Sequence, residues 1–283
     1  METIKQFLVE DVGGGDLTSD LLLSNEEATA CIVARENCVL AGLEEAKEVF
    51  RNLELGVESS VFDGKRITKN TEVLRIKGLA RSILTGERLA LNFLMRMSGI
   101  ATATRELVEL CRKVDPDVRI ACTRKTTPGF RFYEKKAVIV GGGDAHRHGL
   151  FDSILIKDNH IKIVGSIEEA IIRAKKGSFT KKIEIEVGNT EDAMKAVRAG
   201  ADIVMLDNMS PAAVEEAFNK IKNTNRNIMV EVSGGITPNN IMGYAPNANV
   251  ISLGWITHSV RAINFNLDIA DVKYPKKNIP KSY

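Results

Sequence analysis

Six short stretches in the second half of the chain each follow an apolar run and carry charge or bare glycine. They are Thr123-Arg124-Lys125-Thr126, Lys157-Asp158-Asn159-His160, Glu186 after Glu184, Asp207-Asn208, Ser233-Gly234-Gly235, and Gly254 followed by Thr257-His258. Between the first two lies Gly141-Gly142-Gly143-Asp144-Ala145-His146-Arg147. Arg124, Lys125, His146, Arg147 and Lys157 concentrate positive charge, which suits a small ligand with more than one carboxylate or a phosphate chain. Glu186 and Asp207 could bind ribose hydroxyls, hold Mg²⁺ directly or through water, stabilise a cationic transition state, or pair with the basic residues. Ser233, Gly234, Gly235 and Gly254 expose backbone N–H groups of the kind that hold phosphate. Together these groups describe an enzyme that joins a dianionic acid to a sugar phosphate.

Groups so far apart in sequence meet only if a regular frame delivers them. The apolar or β-branched runs Val118–Cys122, Ser153–Ile156, Lys182–Val187, Asp202–Leu206, Ile228–Val232 and Asn249–Leu253 read as buried strands. Helix-like stretches alternate with them at Gly129–Val140, Ser166–Lys176, Thr190–Ala199, Ser210–Lys222 and Thr237–Tyr244, several opening on Ser, Thr or Pro. This alternation specifies a parallel sheet, closed as a barrel or open, whose C-terminal strand ends share one face.

Upstream the pattern differs. Thr29–Ala34, Cys38–Gly42, Val57–Val61 and Thr71–Ile76 are strand-like and Leu43–Leu53 is helical, which predicts a small α+β domain. Gly13-Gly14-Gly15-Asp16 reads as a turn and helix cap, because no βαβ context or P-loop lysine accompanies it. Leu79 to Val114 has helical spacing with an expected break near Ser98-Gly99. Arg88 and Arg96, taken alone, read as solvated charges on this segment.

Composition sets the outer limits. The chain has 283 residues, 44% hydrophobic and 27% charged, enough for a large α/β domain beside a smaller one. Its 39 Lys and Arg nearly balance 37 Asp and Glu, so no global field or basic stripe gathers nucleic acid or acidic lipid. No apolar run is long enough to span a bilayer, and Met1–Glu10 lacks a leader pattern, so the cytoplasm is the expected location. The four cysteines, Cys31, Cys38, Cys111 and Cys122, show no metal or disulfide spacing and read as buried small residues. Lys276, Lys277 and Lys281 read as solvated.

Across nearly its whole length the chain resembles the quinolinate phosphoribosyltransferases, type II phosphoribosyltransferases of NAD biosynthesis. The resemblance is carried by Glu10-Asp11 with Gly15-Asp16-Leu17-Thr18, Glu87-Arg88, Ser98-Gly99-Ile100-Ala101-Thr102, Thr123 to Gly129, Gly141-Gly142-Gly143 with His146-Arg147, Leu155 to His160, Glu184-Ile185-Glu186-Val187, Met205 to Met209, Ser233 to Ile236, and Thr257-His258-Ser259. It implies an N-terminal α/β sandwich domain over residues 1–102, an incomplete α/β (TIM-like) barrel over 103–265, and a tail, 266–283, returning to the first domain. It also implies a homodimer, or a higher homo-oligomer, with active sites at the subunit interface and Arg88 donated across it. The implied reaction converts quinolinate and phosphoribosyl pyrophosphate, with Mg²⁺, to nicotinate mononucleotide, pyrophosphate and CO₂. By position, Arg124, Lys125, His146, Arg147 and Lys157 match the quinolinate-binding set, Glu186 and Asp207 the acidic pair near ribose and metal, and Ser233, Gly234, Gly235, Gly254 and His258 the phosphate end. The expected catalytic residues are Lys125, Lys157, Glu186 and Asp207. Cys122 stands where many members have Asp, and Asp144-Ala145 where Val-Asn is frequent. Among rivals, a nicotinate phosphoribosyltransferase is disfavoured because one carboxylate cannot occupy so many cations, and a non-catalytic regulator predicts loss of Glu186 or Asp207.

Overall fold

A computed structural model of the chain describes residues 3–274. The tail lysines Lys276, Lys277 and Lys281 lie outside the described residues. In chain order the elements are α1 (Ile4–Val12), α2 (Leu17–Leu22), β1 (Glu27–Ala34), β2 (Cys38–Val39), α3 (Leu43–Asn52), β3 (Gly56–Glu58), β4 (Arg66–Ile67), β5 (Glu72–Leu79) and the long helix α4 (Ala80–Cys111). Then come β6 (Arg119–Ala121), α5 (Arg131–Val140), β7 (Ile154–Ile156), α6 (Asp158–Val164), α7 (Ile167–Gly177), β8 (Ile183–Val187) and α8 (Thr190–Ala199). The last are β9 (Ile203–Asp207), α9 (Pro211–Thr224), β10 (Met229–Ser233), β11 (Val250–Ser252), α10 (Trp255–His258) and β12 (Phe265–Lys273). They form two compact units, one of residues 1–102 with 261–283 and the other of 103–260.

The first unit is an α/β sandwich domain built on a four-stranded sheet in the order β12-β1-β5-β3, with β2 and β4 paired separately. Helix α3 buries Leu43, Ala46, Val49 and Phe50, an apolar face at helical spacing. Strand β12 pairs antiparallel with β1 along its whole length and ties Asp268 to Arg35 at 2.7 Å. Its alternation, Phe265-Leu267-Ile269, is diluted by Asn266, Asp268, Asp271 and Lys273, the usual composition of an exposed edge.

Helix α4 is continuous, and the expected break at Ser98-Gly99 does not occur. The polar and small residues there serve packing instead. Ser98 Oγ bonds both the N–H and the C=O of Ala41 at 3.0 Å, and Thr102 Oγ1 accepts from Val39 N–H at 2.9 Å. Gly99 lets the Arg261 carbonyl approach, since a Cβ at 99 would lie 2.3 Å from that oxygen.

The second unit holds a six-stranded parallel sheet in the order β6-β11-β10-β9-β8-β7. Strands β7 to β11 neighbour one another in chain sequence and β6 adds beyond β11, the order of a barrel whose closing β6–β7 pair is missing. It is an incomplete α/β barrel. Helices α7, α8 and α9 return the chain between strands, capped by Ser166, Asn189 and Ser210. The expected helix at Thr237–Tyr244 is two 3₁₀ turns, Ile241–Gly243 and Ala245–Asn247. Asn240 explains the difference: its side chain accepts from Thr237 N–H at 2.8 Å and donates to Gly235 C=O at 3.0 Å, and Gly243 and Pro246 follow before a second α-turn can form. Helix α6 arises where only a polar run was read, with Lys157 at its N-cap. All four cysteines are free and buried. Among the described residues, no helix is long and apolar enough to cross a membrane.

The close approach at Gly99 sets the sign of a mutation. Ala in place of a helix-interior Gly gains about 1 kcal/mol of propensity, but overpacking against a fixed carbonyl costs about 1–3 kcal/mol. Gly99→Ala therefore lowers the thermal midpoint in a melting experiment; a higher midpoint would show that the Arg261 carbonyl yields.

Candidate functional site

The C-terminal strand ends of the second unit enclose a cavity of about 430 Å³. Pairing across the sheet explains its lining. In β8, β9 and β10 the residues Glu186, Met205 and Glu231 stand in register, and Asp207 pairs with Ser233 one step further on. Side chains two apart on a strand share a face, so Glu186, Met205, Asp207, Glu231 and Ser233 all reach the same interior.

The basic wall comes from the β6 end and from the 144–147 loop. Beyond β6, Lys125 N–H bonds Thr123 Oγ1 at 3.1 Å, and the buried Thr257 donates its hydroxyl to Lys125 C=O at 2.8 Å. Glu134 of α5 accepts from both the N–H and the hydroxyl of Thr127 at 3.0 Å, fixing the far side of the turn. Arg124 Nε is buried with no hydrogen-bond partner in the protein. Arg147 is only 9% exposed. Burial, and next the charge of Arg124, hold the Arg147 pKa below its ordinary value, which places two guanidinium groups close together in a desolvated wall.

Facing them are the acids. Glu186 is paired with the Lys157 ammonium, which the start of α6 presents. Asp207 accepts from the Asn208 amide at 2.6 Å, yet burial and then the negative charge of Glu186 raise its carboxyl above the usual range. Asn208 and both glycines of Gly234-Gly235 have positive φ, and a Cβ at Gly234 would lie 2.5 Å from the Asn208 nitrogen. Only glycine allows that turn to sit against the β9 end.

His146 faces Glu184 and Glu231 through one ring nitrogen, at 3.6 and 3.3 Å. Burial disfavours a charged ring, whereas hydrogen bonding and charge from the two carboxylates favour one. The other nitrogen opposes a second proton, because Nδ1 already accepts the Arg147 amide N–H at 2.8 Å. In this arrangement the ring is the neutral Nε2–H form, a tautomer assigned from its partners. Burial raises the Glu184 pKa as well, with Glu231 adding to the rise.

Ten of the thirteen expected site residues come together in the structure. Arg124, Lys125, His146, Arg147, Lys157, Glu186, Asp207, Ser233, Gly234 and Gly235 line one cavity. Gly254 and His258 are not in the lining; a Cβ at Gly254 would lie 2.8 Å from the Lys125 side chain, and His258 Nδ1 bonds Ser259 Oγ at 2.6 Å. Arg88 lies in the first unit, exposed on α4, beside Asp11, Asp16 and Thr85. Cys122, Glu231 and Ser252 also line the cavity and were not picked out as site residues from the sequence. For Glu231 a signal existed: Val-Glu-Val-Ser repeats the Ile-Glu-Ile-Glu pattern of β8, placing a carboxylate on the inward face of a strand that is otherwise apolar.

Family models match the chain over both halves, the quinolinate phosphoribosyl transferase N-terminal domain at residues 16–98 and the C-terminal domain at 100–268. A probable nicotinate-nucleotide pyrophosphorylase (carboxylating) of Archaeoglobus fulgidus is 48% identical over 258 residues, covering 90% of this chain and 98% of that protein. The nicotinate-nucleotide pyrophosphorylase (carboxylating) of Rattus norvegicus is 37% identical, covering 97% and 91%. Among solved structures, the nicotinate-nucleotide pyrophosphorylase of Francisella tularensis superposes with a TM-score of 0.88 at 39% identity, covering 94% of each chain.

The raised Asp207 carboxyl carries a stability consequence. A carboxyl whose pKa rises on folding favours the fold below its unfolded value, and that contribution is lost as pH climbs through the folded value. Above that folded value the protein bears the cost of an ionised Asp207 beside Glu186. Asp207→Asn raises the thermal midpoint at pH 7, and the gain shrinks as pH falls into the carboxylate range; a midpoint lowered at pH 7 would contradict the assigned repulsion.

Proposed function

The chain belongs to the quinolinate phosphoribosyltransferase family, and on that premise we propose how its residues divide the work. It transfers the phosphoribosyl group of phosphoribosyl pyrophosphate to quinolinate with decarboxylation, giving nicotinate mononucleotide, pyrophosphate and CO₂ for de novo NAD biosynthesis. The observation that carries the residue assignment is the opposition, within one cavity, of the desolvated Arg124 and Arg147 to the paired acids Glu186 and Asp207.

In this reading Arg124 and Arg147 bind the two carboxylates of quinolinate, with Lys125 and Lys157 beside them and His146 supporting the Arg147 backbone. The buried Arg124 Nε, lacking a partner, is suited to a ligand oxygen. Ser233, Gly234 and Gly235 receive the sugar phosphate through backbone N–H groups, with Gly254 and His258 completing the phosphate end. As pyrophosphate leaves the ribose C1, the developing positive charge faces Glu186 and Asp207. The quinolinate nitrogen bonds to C1 and becomes cationic. The C2–carboxylate bond then breaks, its electron pair remaining at C2 beside that cation until a proton is taken up, and CO₂ departs. The catalytic set is Lys125, Lys157, Glu186 and Asp207, acting by position and charge.

Two carboxylates whose mutual repulsion raises a pKa are a fitting donor set for a divalent cation, so Glu186 and Asp207 would hold Mg²⁺, directly or through water. Bound there, it supplies charge neutralisation for the departing pyrophosphate. The reading extends to a homodimer in the cytoplasm, in which exposed Arg88 serves the partner's site. Residues 1–102 form its N-terminal domain, 103–265 its catalytic barrel and 266–283 its returning tail.

Purified protein given phosphoribosyl pyrophosphate, Mg²⁺ and either acid yields nicotinate mononucleotide and CO₂ from quinolinate alone, read by mass spectrometry. Arg124→Ala raises the quinolinate KM about 10- to 150-fold, the equivalent of the roughly 1.5–3 kcal/mol of a hydrogen bond to a charged group. Its phosphoribosyl pyrophosphate KM stays near wild type. Unchanged quinolinate kinetics would remove Arg124 from the acid site.

A further inference from the structure

The loop that delivers Arg147 to the cavity is gripped from several sides. His146 adopts a positive φ of 50°, a region that side-chain-bearing residues seldom occupy. Its amide donates to Asp144 Oδ1 at 2.7 Å, and its Nδ1 accepts the Arg147 amide N–H at 2.8 Å. Lys135, fully buried on α5, donates to the Ala145 carbonyl and lies 3.4 Å from Cys122 Sγ. The remaining grip comes from the barrel interior, where His146 Nε2 meets Glu231 Oε2 at 3.3 Å and Glu184 Oε2 at 3.6 Å. Both glutamates are almost fully buried, at 2% and 3% exposure, and neither has a partner on its second oxygen. An anchor built at such desolvation cost is not a surface accident.

We infer that Glu231 is a positioning residue for acid binding: it holds the His146 Nε2–H, and the same ring, through Nδ1, sets the Arg147 amide and with it the stance of the Arg147 guanidinium. Glu231 is the nearer of the two carboxylates to Nε2, at 3.3 Å against 3.6 Å for Glu184. The three ligand atoms lie within 4.8 Å of one another, close enough for a single metal ion. The ring's second nitrogen argues against that use. A metal-bound imidazole donates its far N–H outward, whereas this Nδ1 accepts from an amide. The cluster is a hydrogen-bonded anchor, and its role rests on the reading of Arg147 as a quinolinate ligand.

Glu231→Leu removes the acceptor at similar size, and Glu231→Gln keeps an oxygen for Nε2–H. The leucine variant raises the quinolinate KM about tenfold, the scale of one lost buried hydrogen bond, while the phosphoribosyl pyrophosphate KM stays within about twofold; the glutamine variant restores most of the loss. In an Arg147→Ala background, Glu231→Leu adds nothing further. An equal rise in both KM values, or no rescue by glutamine, overturns the inference. If Arg147→Ala itself leaves the quinolinate KM unchanged, the site reading fails first; if it raises that KM and Glu231→Leu does not, the inference alone fails. Nitrogen NMR of histidine-labelled wild-type protein, with His146→Ala for assignment, needs no foldable Glu231 variant. It shows the neutral Nε2–H tautomer at His146, and a proton on Nδ1, alone or with Nε2, overturns the coupling to Arg147.

Discussion

Like charges brought together before any ligand arrives are the constraint around which the second unit is organised. Arg124 crowds Arg147, and Glu186 crowds Asp207, so that burial and these neighbours displace Arg147 and Asp207 from ordinary titration. Left alone, a flexible chain would let such groups swing apart into water. The fold prevents it: Arg124, Glu186 and Asp207 sit at or just beyond strand ends held in register by their ladders, and the 144–147 loop that carries Arg147 is tied by its own hydrogen bonds. A ligand with opposite charges at its two ends relieves both repulsions at once. Such preorganised strain is the form in which a fold stores recognition for a polyanion and stabilisation for a developing cation.

The rest of the barrel can be understood as what that constraint requires. Main-chain grips hold the turns that carry the charges: Thr257 on Lys125, Glu134 on Thr127, Asp144 on the His146 amide. Each fixes backbone rather than the charged side chain itself, which leaves the guanidinium and ammonium groups available to a ligand. Arg105 on α4 caps the C-terminal end of α5 by donating to Gly141 and Val140 carbonyls at 2.8 and 3.2 Å, so the glycine turn before the 144–147 loop is also held. Glu184 and Glu231, placed deeper on β8 and β10, put negative charge behind the basic wall. The cavity is thus layered, with anions behind cations on one side and a bound cation, Lys157, in front of an anion on the other.

Much of this was legible in the chain. Apolar runs of four to six residues separated by capped helices predict the parallel unit, and all six of its strands fall within a residue of the expected positions because burial on both faces leaves little freedom in sequence. The failures have local causes. Ser98-Gly99 reads as a breaker when the chain is taken alone, and only tertiary partners, the Ala41 backbone and the Arg261 carbonyl, turn it into a packing face. Strand β12 hides because an edge strand needs one apolar side and tolerates charge on the other. Thr237–Tyr244 has helical spacing but not the uninterrupted backbone donors a helix needs. At the site, charges after strands were visible, whereas Glu231, inside one, looked like an ordinary strand residue until its register with Met205 placed it in the interior.

The Lys157–Glu186 pair is what lets carboxylates stand so close together in this cavity. Unpaired, Glu186 would add to the repulsion already visible in Asp207, which the Asn208 amide and Lys125 offset only in part. Lys157 supplies an internal cation, and its ammonium can do so because its stem is flexible and its charge compact, properties a guanidinium lacks. The same flexibility lets it turn toward an arriving carboxylate while a sugar or a divalent cation takes its place at Glu186. On the proposed reading, then, substrate entry is an exchange of partners among charges already in the cavity. That exchange needs no reorganisation of the barrel, because the turns that carry the charged groups are tied down and only the partners of their side chains change.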